Sequence, residues 1–482
     1  MVAQGLRPSV GEPSASHLNR LWPVQPTARE DEVADRGRGD SRVSNGSVTG
    51  ATVPPIIYNL FPTLVGPAPG WVAHAARAAA MGFTWLYLNP IHYPGFSGSL
   101  YAIKEHFRLH PVLSPTGDGA SGSLPAIAPA IQAIREQGLH VMLDLVVNHT
   151  ARDSPLVERH PSWFRRDTAG RVVSPSAVDP DDARRVTVWG DLAEVDNATS
   201  PDREALWAFW ERLVEAALDL GFSGFRCDAA YKVPTSLWRR LVTRARARAP
   251  GTVFVAETLG CAAESVEALA TAGFDYFYNS SKWWDGVARW CLDQHESFRR
   301  IAPSIAFPES HDTPRLASES RGSETVQRQR YALAAVFSGG VQMPIGFEFG
   351  FERRLDVVAT RPDDWEEPRF DIGLFIRQVN RLKLRHPLLA GEGVLRRLDW
   401  KAPDVTTLRR WSDAAGTHRG VVLMNRSTTT AAAVTVDPAE LAPVARLFRL
   451  CRDSLPPRGD PLPPVVRLDP AELALLADPV GA

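Results

Sequence analysis

The stretch His140-Val-Met-Leu-Asp144-Leu-Val-Val-Asn148-His149 is a nearly unbroken apolar run that ends in polar residues. A parallel strand covered by helices on both faces reads this way, because neither face of such a strand meets water. The same pattern recurs outward in both directions. Ile56–Leu60 and Thr84–Asn89 precede it, and Gly224–Asp228, Val253–Glu257, Phe274–Tyr278, Ser304–Pro308 and Gly340–Pro344 follow. Segments of helical period lie between them, such as Trp71–Met81 and the Ile/Ala/Leu-rich stretch 124–137. Eight strands alternating with helices predict an α/β fold of the (β/α)8 TIM-barrel type. An open dinucleotide-binding sheet would carry Gly-x-Gly-x-x-Gly directly after an early strand, and no such motif directly follows one here.

Both ends of the chain depart from this pattern. Residues 1–52 are rich in Pro, Ser, Gly, Arg and Asp without apolar periodicity, so a disordered tail is expected there. The barrel is assigned to 53–392, with a loop insertion at about 150–195 after the third strand. After residue 392, Thr406–Trp411, Gly420–Met424 and Ala432–Val436 are short runs separated by turn residues. They predict a small antiparallel β domain over 393–482.

Composition narrows the partners. The 482 residues carry 54 Lys+Arg against 55 Asp+Glu, so no net field gathers nucleic acid or anionic membrane. No apolar run approaches the roughly 20 residues of a membrane helix, and the N-terminus lacks a signal-peptide pattern, so a soluble, cytoplasmic protein is expected. The four cysteines, Cys227, Cys261, Cys291 and Cys451, show no Cys-x-x-Cys spacing, which disfavours structural zinc and a disulfide framework.

In a barrel of this type the reacting groups stand at the C-terminal ends of the strands. Four polar signatures fall there: Asp144-x-x-x-Asn148-His149, Arg226-x-Asp228, Glu257, and Glu309-x-His311-Asp312. Each is common by chance, but the ordered set, with every member ending an apolar run, points to one pocket. Arg226, two positions before Asp228, shares its face of the strand, so its guanidinium can favour an ionised Asp228.

These signatures resemble those of the α-amylase family of retaining α-glucan-acting enzymes, over roughly residues 55–482. The resemblance implies Asp228 as nucleophile, Glu257 as general acid/base and Asp312 as the carboxylate that holds sugar hydroxyls. It further implies His149 and His311 as sugar-hydroxyl donors, Tyr101 as a stacking platform, and Asp144 as a supporting residue that does not itself react. A retaining pair attacks the anomeric carbon through one carboxylate and protonates the leaving oxygen with the other, so Glu257 should have a raised pKa. Trp283 and Trp284 read either as packing or as faces for glucose rings. His92 and His106 read as ordinary loop histidines.

Within the family, Tyr58–Pro62, Met81–Trp85, Asn89–Ile91 and Pro94–Tyr101 look most like maltosyltransferases that use maltose 1-phosphate. Those proteins carry a further N-terminal β domain, for which the residues ahead of Ile56 leave no room. The expected activity is retaining hydrolysis of α-1,4-glucosidic bonds in maltooligosaccharides or other α-glucosides. The alternatives are a glucan-building transferase, with Trp283, Trp284, Tyr231 and Lys232 as acceptor or phosphate contacts, and an inactive sugar-binding barrel. No cofactor is called for. Calcium at Asn148 and Glu194, the counterparts of a family site, would need several further oxygen ligands.

Overall fold

The structure, a computed structural model, describes residues 53–117, 122–178, 184, 186–412 and 417–480. The expected tail at 1–52 lies outside the described residues. Eight parallel strands close into a barrel: β1 (Ile56–Leu60), β2 (Trp85–Leu88), β3 (His140–Leu145), β4 (Gly224–Cys227), β5 (Val253–Ala256), β6 (Tyr276–Tyr278), β7 (Ser304–Ala306) and β8 (Gly340–Pro344). Each neighbours the next in sequence, and β8 pairs with β1 to close the ring. Each strand is followed by a helix: α1 (Trp71–Ala80), α2 (Ala128–Glu136), α3 (Arg203–Asp219), α4 (Thr235–Arg248), α5 (Ala263–Glu267), α6 (Trp290–Arg299), α7 (Glu324–Phe337) and α8 (Gly373–Arg385).

Alternation along the strands builds two apolar layers. Ile57, Trp85, Tyr87, Met142, Val255, Tyr278, Ile305 and Phe307 cluster together, whereas Ile56, Tyr58, Leu86, Val141 and Phe225 belong to the larger core that includes the helices. At Gly224 a Cβ would stand 2.9 Å from Cζ3 of Trp85, so glycine makes room for that indole. The register sets Asp144 beside Arg226 and Arg226 beside Val255, so the charged residues form the layer above this plug.

The insertion after β3 holds two short antiparallel pairs, His149–Ala151 with Leu192–Glu194 and Ser176–Val178 with Val186–Val188. Beyond α8 the chain forms β9 (Val394–Arg397), β10 (Val405–Trp411), β11 (Arg419–Asn425), β12 (Ala432–Thr435), β13 (Arg446–Arg449), β14 (Asp460–Pro461), β15 (Val465–Leu468) and β16 (Leu473–Ala477). Six of these make a sheet in the order β9-β10-β11-β16-β13-β14, and β12 pairs with β15. Leu408, Val422, Met424 and Leu475 on this sheet join the barrel's core, while Val421, Leu423 and Leu476 face a separate core. Buried Arg410 of β10 donates to the carbonyls of Phe337, Leu388 and Gly391, which fastens the sheet to the barrel's helical layer. Among the described residues no helix is long and apolar enough to cross a membrane.

Candidate active site

Arg226 organises the mouth of the barrel. Its Nη1 donates to Asp144 Oδ1 at 3.0 Å and to Asp228 Oδ1 at 2.7 Å, and its Nη2 lies 3.0 Å from Glu257 Oε1 and 3.9 Å from Asp312 Oδ2. A rigid guanidinium fork can address several carboxylates in this way where a lysine could not. Asp144 is fully buried and also accepts the hydroxyls of Tyr87 and Tyr101, both at 2.6 Å. Burial pushes its carboxyl up to about 6, against the pull of Arg226.

Glu257 is held differently. Its Oε2 accepts the Ala229 N–H at 2.7 Å, and Ala229, the residue after Asp228, adopts the left-handed conformation at φ 39°, ψ 49°. Such backbone costs a residue with a side chain about 1–3 kcal/mol and marks a constrained position. Burial raises the Glu257 carboxyl to about 8, and the nearby Asp228 and Asp312 add to this while Arg226 opposes it. Asp312 is the most open of the acids, with 49% of its side chain exposed.

His311 completes the polar rim. Its Nε2 is 2.7 Å from Tyr101 Oη and 3.1 Å from Asp312 Oδ2, and the two rings stack within 5°. Because Tyr101 gives its only hydroxyl proton to Asp144, the proton in the His311 contact belongs to Nε2. Burial lowers the His311 pKa, which keeps the ring neutral. A small pocket opens here, with Arg226, Glu257, His311 and Asp312 on its polar side and Leu259, Tyr278 and Phe307 on its apolar side. The Arg226 guanidinium thus brings together the Asp228 carboxylate and a Glu257 carboxyl of raised pKa, a pair of the kind that a retaining glycosidic mechanism uses.

Comparison with known proteins gives the chain's similarities. Residues 56–169 match the family model described as "Glycogen debranching enzyme, glucanotransferase domain". The chain is 29% identical over 370 residues to the α-1,4-glucan:maltose-1-phosphate maltosyltransferase of Burkholderia pseudomallei, covering 75% of this chain and 32% of that one. The enzyme of the same name from Arcanobacterium haemolyticum is 27% identical over 326 residues, 58% of this chain and 43% of the relative. The chain thus spans less than half the length of these two relatives. Among solved structures, an α-amylase from Lactobacillus plantarum superposes with a TM-score of 0.69 at 21% identity, over 88% of this chain and 98% of that one. The chain is similar in sequence to α-1,4-glucan:maltose-1-phosphate maltosyltransferases and shares the fold of α-amylases.

The residues that the resemblance places at the site stand in different settings. His149 is buried, with Nε2 3.1 Å from the Tyr101 carbonyl, so it braces the loop that carries Tyr101. Tyr101 itself is only 7% exposed, its hydroxyl spent within the network. Trp284 is fully buried, packs on Phe337 and donates its indole N–H to the Ala288 carbonyl, so it has no face to offer a sugar. Trp283 packs against Phe307 behind the pocket. Tyr231 is largely buried near Glu257 and Asp228, and Lys232 is exposed, with its ammonium over the Trp189 ring and bonded to the Ser176 carbonyl. His92 and His106 are buried core residues, the latter edge-on to Phe209 and Trp210.

The calcium counterpart does not fit. The Glu194 carboxylate is taken by Arg165 at 2.7 Å, although the buried Asn148 Oδ1 has no hydrogen-bond partner among the described residues. Among the described residues no three His, Cys, Asp or Glu side chains group as a metal site, where calcium takes 6–8 oxygens. Conversely, sequence reasoning passed over Tyr87 and Asn89. Asn89 Nδ2 donates to Tyr101 Oη at 3.1 Å and is itself held by Asn59, so the end of β2 supports Asp144 from below. Their signal was available: polar residues two apart at a strand's C-terminal end share one face.

Proposed function

We propose that the chain cleaves α-1,4-glucosidic bonds in maltooligosaccharides or related α-glucans with retention of configuration. The Asp228 carboxylate attacks the anomeric carbon as the glycosidic C–O bond breaks, and the leaving oxygen takes the Glu257 proton. An acceptor then gives its proton back to Glu257 as its oxygen bonds to the anomeric carbon and Asp228 departs. Asp312 and His311, on the rim, hold sugar hydroxyls, and Tyr101 with Asp144 and His149 keep that rim in place. In this reading residues 53–392 form the catalytic unit and 393–482 brace it.

The observation that carries the reading is the contact of one guanidinium with both Asp228 and Glu257, alongside a Glu257 carboxyl raised to about 8. A protonated acid beside a guanidinium-bonded carboxylate is the division of labour that the two steps need. The names of the relatives favour a second reading, in which a sugar hydroxyl is the acceptor and maltose 1-phosphate a donor. Product analysis separates the two. Shorter sugars alone from maltoheptaose support hydrolysis, whereas longer chains, or extension that requires maltose 1-phosphate, support transfer. Unchanged activity in Asp228→Ala would sink the site assignment.

A further inference from the structure

Half-exposed Asp312 stands on the irregular loop between β7 and the short helix Leu316–Glu319. The two ends of that loop are joined by a buried ion pair. Glu309 Oε1 accepts from Arg315 Nη1 at 2.8 Å, Glu309 Oε2 accepts the Leu316 N–H at 2.5 Å, and each side chain of the pair is only 1% exposed. Within the loop, Thr313 Oγ1 accepts the Ser310 N–H at 3.0 Å and Ser310 Oγ accepts the Asp312 N–H at 3.2 Å. Arg315 also fastens the loop to its neighbour. Its Nη2 donates to the carbonyl of Ile345, just after β8, at 2.9 Å, and its Nε to the Arg353 carbonyl at 3.2 Å. Neither Glu309 nor Arg315 is among the residues that line the pocket, whereas His311 and Asp312 are.

We propose that Arg315 and Glu309 are positioning residues that hold Asp312 where it meets the sugar hydroxyls, without touching the substrate themselves. The proposal rests on the retaining reading above. A buried ion pair adds little net stability, because desolvation offsets its attraction, so what this one supplies is a fixed geometry. The planar guanidinium reaches one carboxylate and two carbonyls at once, which a lysine ammonium on its flexible stem does not reproduce. A misplacement of about 1 Å far from the reacting bond can cost about 100-fold in rate. If the pair works through Asp312, weakening it matters only while Asp312 is present. A loss of folded protein would instead lower the rate equally in every background.

The test is a double-mutant cycle on the full chain, read as 4-nitrophenol release from its α-maltoside. Arg315→Lys keeps the charge but not the fork, and Glu309→Gln keeps the shape but not the charge, so either serves if the other does not fold. Each should lower kcat about 10–100-fold, with a smaller change in KM. Asp312→Asn keeps hydrogen-bonding groups and with them a residual rate. In that background each change should cost less than about threefold, because the group it positions is already altered. Equal losses in the two backgrounds, with an active wild type, would overturn the inference and leave the pair a part of the fold alone. A wild type that releases no nitrophenol and leaves maltoheptaose intact would overturn the retaining reading and this inference with it.

Discussion

Replacing Glu257 by Gln should change how stability depends on pH, besides removing activity. The Glu257 carboxyl is raised from its ordinary 4.5 to about 8, with 84% of the side chain out of solvent, since only 16% is exposed. At about 1.4 kcal/mol per pH unit this corresponds to about 5 kcal/mol. The folded state holds a proton that the unfolded chain releases above 4.5. Stability from this group is therefore complete below pH 4.5 and is lost as pH rises to about 8. Glutamine cannot titrate, so the difference in unfolding free energy between Glu257→Gln and wild type should shift in the variant's favour by about 1.4 kcal/mol per unit across that window. Urea unfolding of both proteins at pH 5, 6, 7 and 8 measures it. Parallel stability profiles would refute the argument, because they would mean that Glu257 is ionised at pH 5. In wild type, kcat/KM for maltoheptaose should fall with a midpoint near 8 as the acid loses its proton, and Glu257→Gln should lose about 10²–10⁴-fold in turnover.

Other sites allow separate checks. Trp284→Ala should destabilise the protein by about 3–5 kcal/mol in urea melts without raising KM for maltoheptaose, because the indole is fully buried in packing. A KM rise at unchanged stability would instead make it a sugar contact. Lys383 is buried, donates to the carbonyls of Ala335, Ser338 and Leu389, and is lowered by burial from 10.5 to about 7. Its folded pKa lies below the unfolded one, so its unfavourable contribution shrinks as pH rises from about 7 toward 10.5. Urea melts of Lys383→Met and wild type should thus show the gap between them moving in the wild type's favour over that range. Dialysis against EDTA should leave the melting temperature unchanged, since Arg165 already neutralises Glu194. A drop restored by calcium would contradict this.

The fold could be read from the sequence because each barrel strand is a short apolar run bounded by turn residues, and the burial on both sides that produces such runs is a property of every strand in this architecture. The site was legible for a related reason. A polar residue that ends such a run, as Asp228 and Glu257 do, has only the barrel mouth to occupy. What stayed hidden depends on contacts between segments far apart in the chain. Tyr87 and Trp85 look alike in sequence, yet only the Tyr87 hydroxyl reaches Asp144, 57 residues away. Trp283 and Trp284 carry identical local signals, and the short turn Ser281–Trp283 sends one toward Phe307 and the other into the core against Phe337. Glu194 read as a metal ligand because nothing nearby in sequence announces Arg165 as its partner.

The charge count at the barrel mouth explains why these residues behave as one unit. Asp144, Asp228, Glu257 and Asp312 all lie within 4 Å of the Arg226 guanidinium, and one cation cannot offset four anions in a half-buried pocket. At least one carboxyl must keep its proton, and the hydrogen bonds decide which. Two tyrosine hydroxyls and the guanidinium stabilise the Asp144 anion, so burial carries that group only to about 6. Glu257 receives one amide N–H and one edge of the guanidinium while facing two other carboxylates, and it rises to about 8. Near neutral pH the proton therefore resides on Glu257, the group that the proposed mechanism uses as its acid. Tyr87 and Tyr101, which need never touch the reacting bond, fix that order by keeping Asp144 from competing for the proton.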